Sequence, residues 1–225
     1  MPPSPADPTD APLELREACI VAAREVIAER GVENLSLREV SRRLGVSHQA
    51  PYKHYPSRDH LLAEVMRRCF QHFAAALDAR QRFDDPKQDL ESLGRQYLDY
   101  ASRHALEYRL MFSTPWPEGA DAAHLVSDAT HAFNVLRGVL QRLHGPGAAA
   151  RDQVDLDALY IWSTVHGVAG VMNGECIHRM DLKAKVVKQA VQHVMERMSI
   201  GMMATPSLHH PDASASHARG DTPKR

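Results

Sequence analysis

Apolar residues recur at three- and four-residue intervals along nearly the whole of this chain, and no stretch alternates as a half-buried strand must. The clearest run follows Ser57, where Leu61, Leu62, Val65, Met66, Cys69, Phe70, Phe73 and Leu77 share one side of a helix. A chain with that period throughout can bury its apolar residues only by laying helix on helix. The expected fold class is therefore all-α, with about nine helices.

The helix boundaries are marked by capping chemistry. Leu15, Ala18, Cys19, Ala22, Val26 and Ile27 make the apolar face of a first helix that Gly31 stops. "SLRE" from Ser36 is a capping box, with Leu35 and Val40 as its hydrophobic staple, and it opens a helix of two turns that ends at Gly45. Ser47 then offers a cap for a third helix over about 48–55. After the long helix from Ser57, the periodicity predicts helices over 86–104, 105–112, about 120–143, 153–179 and 182–203, capped by Asp85, Asp152 and Asp181 where such residues stand. Residues 1–12 and 205–225 are poor in core formers and read as disordered tails. His209, His210 and His217 in the second tail read as solvated residues, not a metal site.

Composition limits the function classes. A formal net charge of -1 over 225 residues excludes a uniformly basic protein, so nucleic-acid binding must rest on a local patch. The three cysteines lack metal-ligand spacing and read as buried thiols. No run approaches the roughly 18 apolar residues of a membrane span, and "MPPSPADPTDAP" lacks a secretory pattern, so the expected location is the cytoplasm. HExxH, nucleophile-elbow and phosphate-loop motifs and a carboxylate cluster are absent; the reading is of a protein that is not an enzyme and needs no cofactor.

Two short helices joined by a glycine turn have the form of a helix-turn-helix, placed here in a unit spanning 13–60. From Ser36 to Arg68 the bases Arg38, Arg42, Arg43, Lys53, Arg58, Arg67 and Arg68 outnumber the acids Glu39, Asp59 and Glu64. That is the local charge a phosphate backbone requires. His48, Gln49, Tyr52, Lys53 and His54 add polar reach to the second short helix. Pro51 is tolerable there if it stands fourth after the cap, where at most the first helical hydrogen bond is lost.

"GVENLSLREVSRRLGVSHQAPYKHYPSRDHLLAEV" resembles the DNA-binding domain of the tetracycline-repressor (TetR) family, down to the spacing of Tyr52, Tyr55 and Arg58, over about residues 13–62. The resemblance implies phosphate contacts from Ser36, Leu37 and Arg38. It implies groove or backbone contacts from Ser47, His48, Gln49, Ala50, Tyr52, Lys53 and His54, with Arg58 on a phosphate. Leu37 replaces a hydroxyl residue common there, and Ala50 and Pro51 can give only apolar contact.

The remaining residues, 61–204, carry a second pattern. In "IWSTVHGVAGVMNGE", Ser163, Gly167, Gly170 and Gly174 line up as a small-residue stripe against which another helix can come close, while Ile161, Val165, Val168 and Met172 form the bulky face. The TetR resemblance implies a four-helix dimer interface from the last two helices. Trp162, His166 and Gly167, with "EYRLMFS", are similar to the WHG class of C-terminal domains. In such proteins the middle helices bound a pocket for a small apolar or aromatic ligand. Its candidate residues here are Tyr97, Tyr108, Met111, Phe112, Phe133, Trp162 and His166, which helical spacing alone would equally make core. The implied function is a homodimeric repressor that a ligand releases from a (pseudo)palindromic double-stranded DNA operator. The rival is a helical protein-interaction or ligand-binding module with no specific operator.

Overall fold

The computed structural model describes residues 10–117 and 122–204. Nine α-helices and two 3₁₀ turns, with no strand, make up the described residues. The helices are α1 (Asp10–Arg30), α2 (Leu37–Leu44), α3 (Arg58–Asp78), α4 (Pro86–Arg103), α5 (Ala105–Phe112), α6 (Ala122–His144), α7 (Ala148–Asn173), α8 (Glu175–Arg179) and α9 (Ala184–Ala204). The tail histidines lie outside the described residues, and the first helix begins at Asp10, inside the stretch expected to be tail.

Local chemistry sets the ends. The Ser36 hydroxyl accepts from the Glu39 amide at 3.1 Å, and Leu35 and Val40 are buried beside it. The return half of the capping box goes elsewhere, because the Glu39 carboxylate takes two bonds from Arg42 and an ion pair from Arg30. Gly45 ends α2 in the left-handed region at φ 67°, a conformation that costs a residue with a Cβ. Ser57 and Asp85 cap α3 and α4 through their side chains.

The helix expected over 153–179 is different in two ways. It starts at Ala148, so Asp152 lies inside it, and it stops at Asn173, where Gly174 turns extended with ψ 149° before the short α8. Asp181 likewise precedes the start of α9 at Ala184. Glycine has little helical preference to oppose such a break.

α1, α2 and the 3₁₀ turns form a small unit around the first half of α3, and the rest of α3 joins α4, α6 and α7 in the larger helical body. The core runs through both parts without interruption, with Phe70 and Phe73 of α3 fully buried. Asp89 of α4 is buried and receives Arg80, Arg142 and the Phe83 amide, while Arg142 also donates to the Phe83 and Asp84 carbonyls. That clamp fixes the α3–α4 turn against α6 and leaves Arg80 Nε without a partner. Removing one member of such a buried charge set is costly because the others stay desolvated. The Cys19 and Cys69 thiols are buried, and burial pushes Cys69 up to about 12.

Candidate functional site

The segment after Gly45 is not an α-helix. Ser47 contributes its carbonyl, accepting from the Ala50 amide at 3.0 Å, and Pro51–Lys53 is a 3₁₀ turn in which His54 and Tyr55 both donate to the Pro51 carbonyl. Pro51 has no N–H to return to Ser47, so the chain closes mostly tighter i+3 rings, with the Tyr55–Pro51 bond its one four-residue step. The expected helix over 48–55 is thus replaced by consecutive turns.

This compact loop is two-sided. Pro51 and Tyr55 are buried, and the Tyr55 hydroxyl donates to the Arg16 carbonyl of α1 at 3.3 Å. That floor leaves Ser47, His48, Gln49, Tyr52 and Lys53 exposed, with Ala50 and His54 half-buried at the edge. Tyr52 keeps 48% of its surface open, unusual for a large ring with an apolar core beneath it. An exposed set of one hydroxyl, one phenol, one ammonium, one amide and one imidazole, with the half-buried His54 at its edge, can donate to phosphates and meet base edges in a groove.

Two residues expected at the DNA are occupied differently. Leu37 is 3% exposed and its side chain belongs to the core, leaving only its backbone at the start of α2 for any phosphate contact. Arg58 donates to the Leu35 carbonyl at 3.1 Å and the Val32 carbonyl at 2.8 Å and pairs with Asp59, tying α3 to the loop before α2. Arg38 is exposed at the start of α2; Ser36 spends its hydroxyl on the helix cap.

The basic excess is also smaller than the count along the sequence. Arg43 is held by Glu25 and Glu29, and Arg68 by Glu64 and Glu17, acids that lie in α1 or one turn away. Arg42 and Arg67 pair with Glu39 and Glu64. Arg38 and Lys53 remain as exposed cations of the reading side.

In the helical body an aromatic group closes around His166 of α7. Its Nδ1 accepts from the Trp162 indole N–H at 3.2 Å and lies 2.5 Å from the Tyr97 hydroxyl, which is 3.3 Å from that of Tyr108. Indole nitrogen can only donate, so Nδ1 is the bare nitrogen and the ring proton sits on Nε2. Burial lowers the His166 pKa and raises those of Tyr97 and Tyr108, so the cluster is neutral. Phe112 stacks edge-on to His166 at 4.5 Å, and Phe133 meets Trp162 at 4.8 Å.

Six of the seven expected ligand residues therefore meet in one group. Met111 is buried on α5 and takes no part in those contacts. The adjoining cavity is lined by Tyr97 and Trp162 from that set, and otherwise by residues that helical spacing could not separate from ordinary core, including Leu90, Leu93, Leu136 and Met198. Its free space is about 30 Å³, room for about two waters and not for an organic ligand. Phe73 and Leu77 of α3 form one wall.

The small-residue stripe is uncovered within one chain. A Cβ at Gly167 or Gly170 would meet nothing within 4 Å, and Leu156, Leu159, Tyr160 and Val171 on that side of α7 are exposed. Val186 and Ile200 of α9 are exposed as well.

Two family descriptions match this chain. Residues 20–65 match the bacterial regulatory proteins of the tetR family, and residues 90–198 match the tetracyclin repressor-like C-terminal domain. The chain belongs to the TetR family of transcriptional regulators. As such it is a DNA-binding regulator, in a family of regulators and not of enzymes. A curated relative, the HTH-type transcriptional activator FasR of Mycolicibacterium smegmatis, is 28% identical over 120 residues; the match spans 53% of this chain and 55%, about half, of FasR. The crystal structure of the regulatory protein SCO4313 superposes with a TM-score of 0.71 at 22% identity, covering 86% of this chain and 98% of that one. A tetR-family transcription regulator from Shewanella sp. PV-4 gives 0.59 at 18% identity, over 84% and 95%. At those identities the likeness concerns the fold. None of the helices among the described residues is long and apolar enough to cross a membrane.

Proposed function

We propose that this TetR-family chain is a homodimeric repressor whose paired 45–58 segments read two half-sites of one operator about one helical turn apart. The observation that carries the reading is the two-sided loop: Pro51 and Tyr55 buried below, Ser47, His48, Gln49, Tyr52 and Lys53 presented above. Gln49 is assigned to a base edge and Lys53, Arg38 and His54 to backbone, with Tyr52 bridging the two. The uncovered α7–α9 face supports the dimer, since an apolar helix face with a glycine stripe is suited to close packing against its own copy. In this organisation 13–60 act as the reader and 61–204 as the responding body.

The ligand is a small apolar or aromatic molecule admitted beside Trp162, Tyr97 and His166. Because the cavity has only about 30 Å³ of free space, admission has to move a wall, and α3 supplies one. A shift of α3 reaches the reader through Arg58 and Tyr55, so ligand and operator weaken each other's binding by the same factor. FasR is named an activator; operator release by a ligand serves either sign of regulation, according to where the operator lies.

The test is a selection of random duplexes on the purified protein, followed by anisotropy titration at two salt concentrations. The reading requires an enriched, two-fold-related motif whose binding weakens with salt. Enrichment of no motif, with equal weak binding to every duplex, would return the protein to the rival reading of an interaction module.

A further inference from the structure

Where the reader meets the helical body, three metal-ligating side chains from different elements converge away from both the reading face and the aromatic cavity. His72 of α3, His104 of the α4–α5 junction and Glu107 of α5 place their donor atoms within 4.8 Å of one another. The His72 and His104 rings stand edge to face at 4.9 Å. His72 Nδ1 is 2.8 Å from Glu107 Oε2, and His104 Nδ1 is 4.0 Å from Oε1. We propose that this triad is a binding site for a divalent first-row transition ion, with zinc as its reference occupant.

The donor set is the reason for the class. Two imidazoles and one carboxylate match the ligands of open zinc sites, where solvent fills the remaining position. Bonds of about 2.0–2.1 Å in a tetrahedron put donor atoms about 3.3 Å apart. The 2.8 Å separation to Oε2 has to widen and the 4.0 Å one to Oε1 to shorten, each by about half an ångström or slightly more, and all three donor atoms start within 4.8 Å of one another. Access is open as well, since the His72 side chain is 53% and that of His104 37% exposed.

The carboxylate is held in place from two sides. Tyr100 donates to Oε2 and orients it, as outer partners orient metal ligands. Arg24 of α1 pairs with Oε1. A bound cation competes with that guanidinium for the same carboxylate, so occupancy loosens a tie between α1 and α5. Arg24 is thus the residue that sets the site's affinity.

The experiment uses the untagged full-length protein, stripped with chelator and titrated with zinc by calorimetry and against a chromophoric chelator. The expected result is one ion per chain, affinity at least tenfold lower in His72→Ala and in His104→Ala, and several-fold higher in Arg24→Gln. Cobalt should give the intense visible absorption of a low-coordinate site, lost in His104→Ala. The two histidines are exposed enough for these variants to fold, and unchanged melting without metal verifies it. A His209→Ala/His210→Ala/His217→Ala variant must keep the affinity. Zinc binding that disappears in the tail variant, that ignores His72 and His104, or that does not tighten in Arg24→Gln overturns the proposal.

Discussion

The reading loop and the aromatic cluster are both polar groups laid over apolar floors, yet they are finished in opposite ways. In the loop, backbone turns and buried Pro51 and Tyr55 satisfy the scaffold, and the polar side chains are left to solvent. Around His166 the polar atoms are spent on each other, with indole, imidazole and two phenols linked in series. A surface built the first way awaits a partner rich in acceptors and costs no internal bond on binding. One built the second way is stable when closed and has to break its own contacts to admit anything.

That contrast says which changes act on stability and which on recognition. The largest effect is expected from Phe73→Ala, a fully buried ring that is also a wall of the cavity. It should cost about 3–5 kcal/mol in urea unfolding, and a cost below about 1 kcal/mol would show the cavity wall to be loosely packed. Gln49→Ala should leave unfolding unchanged and lose about 1–3 kcal/mol of discrimination at one base position; a full motif after selection with this variant would remove Gln49 from the reader.

Tyr97→Phe is a smaller change, deleting one hydroxyl between His166 and Tyr108. It should cost about 0.5–1.5 kcal/mol and lower the midpoint of thermal unfolding with DNA affinity intact. The pH dependence is smaller still. His166 is held neutral, its pKa below the ordinary 6.5, so the unfolded chain takes up a proton first as pH falls. Stability attributable to it is complete above 6.5 and declines below, towards the folded pKa. His166→Gln should flatten that part of the curve; an unchanged slope would mean that the ring is already solvated.

The same contrast governs what was legible in the chain. Local signals are legible because the Ser36 cap, the Gly45 stop, the Asp85 cap and the helical period all depend on residues a few positions apart. Pro51 was also local, but its missing N–H left consecutive turns, with a 3₁₀ turn at Pro51–Lys53, because so short a piece has no later ladder to recover on. Arg43 and Arg68 looked free because Glu25, Glu29 and Glu17 sit on α1, and only folding brings them near. Arg58 was turned inward by two carbonyls for the same reason. In the body, aromatic residues declared themselves, while Leu90, Leu93 and Met198 carry no chemical mark that separates a cavity wall from core. The triad of His72, His104 and Glu107 was likewise invisible, since its spacing in sequence matches no metal motif.

The central claim, that the exposed side of the 47–53 loop is the DNA reader, is tested most directly by anisotropy on the selected operator with wild type and Tyr52→Ala/Lys53→Ala. Both should melt alike and form the same dimer. The account requires the variant to bind the operator no better than a scrambled duplex, a loss of roughly a hundredfold or more. Operator affinity within about threefold of wild type would place recognition elsewhere on the molecule.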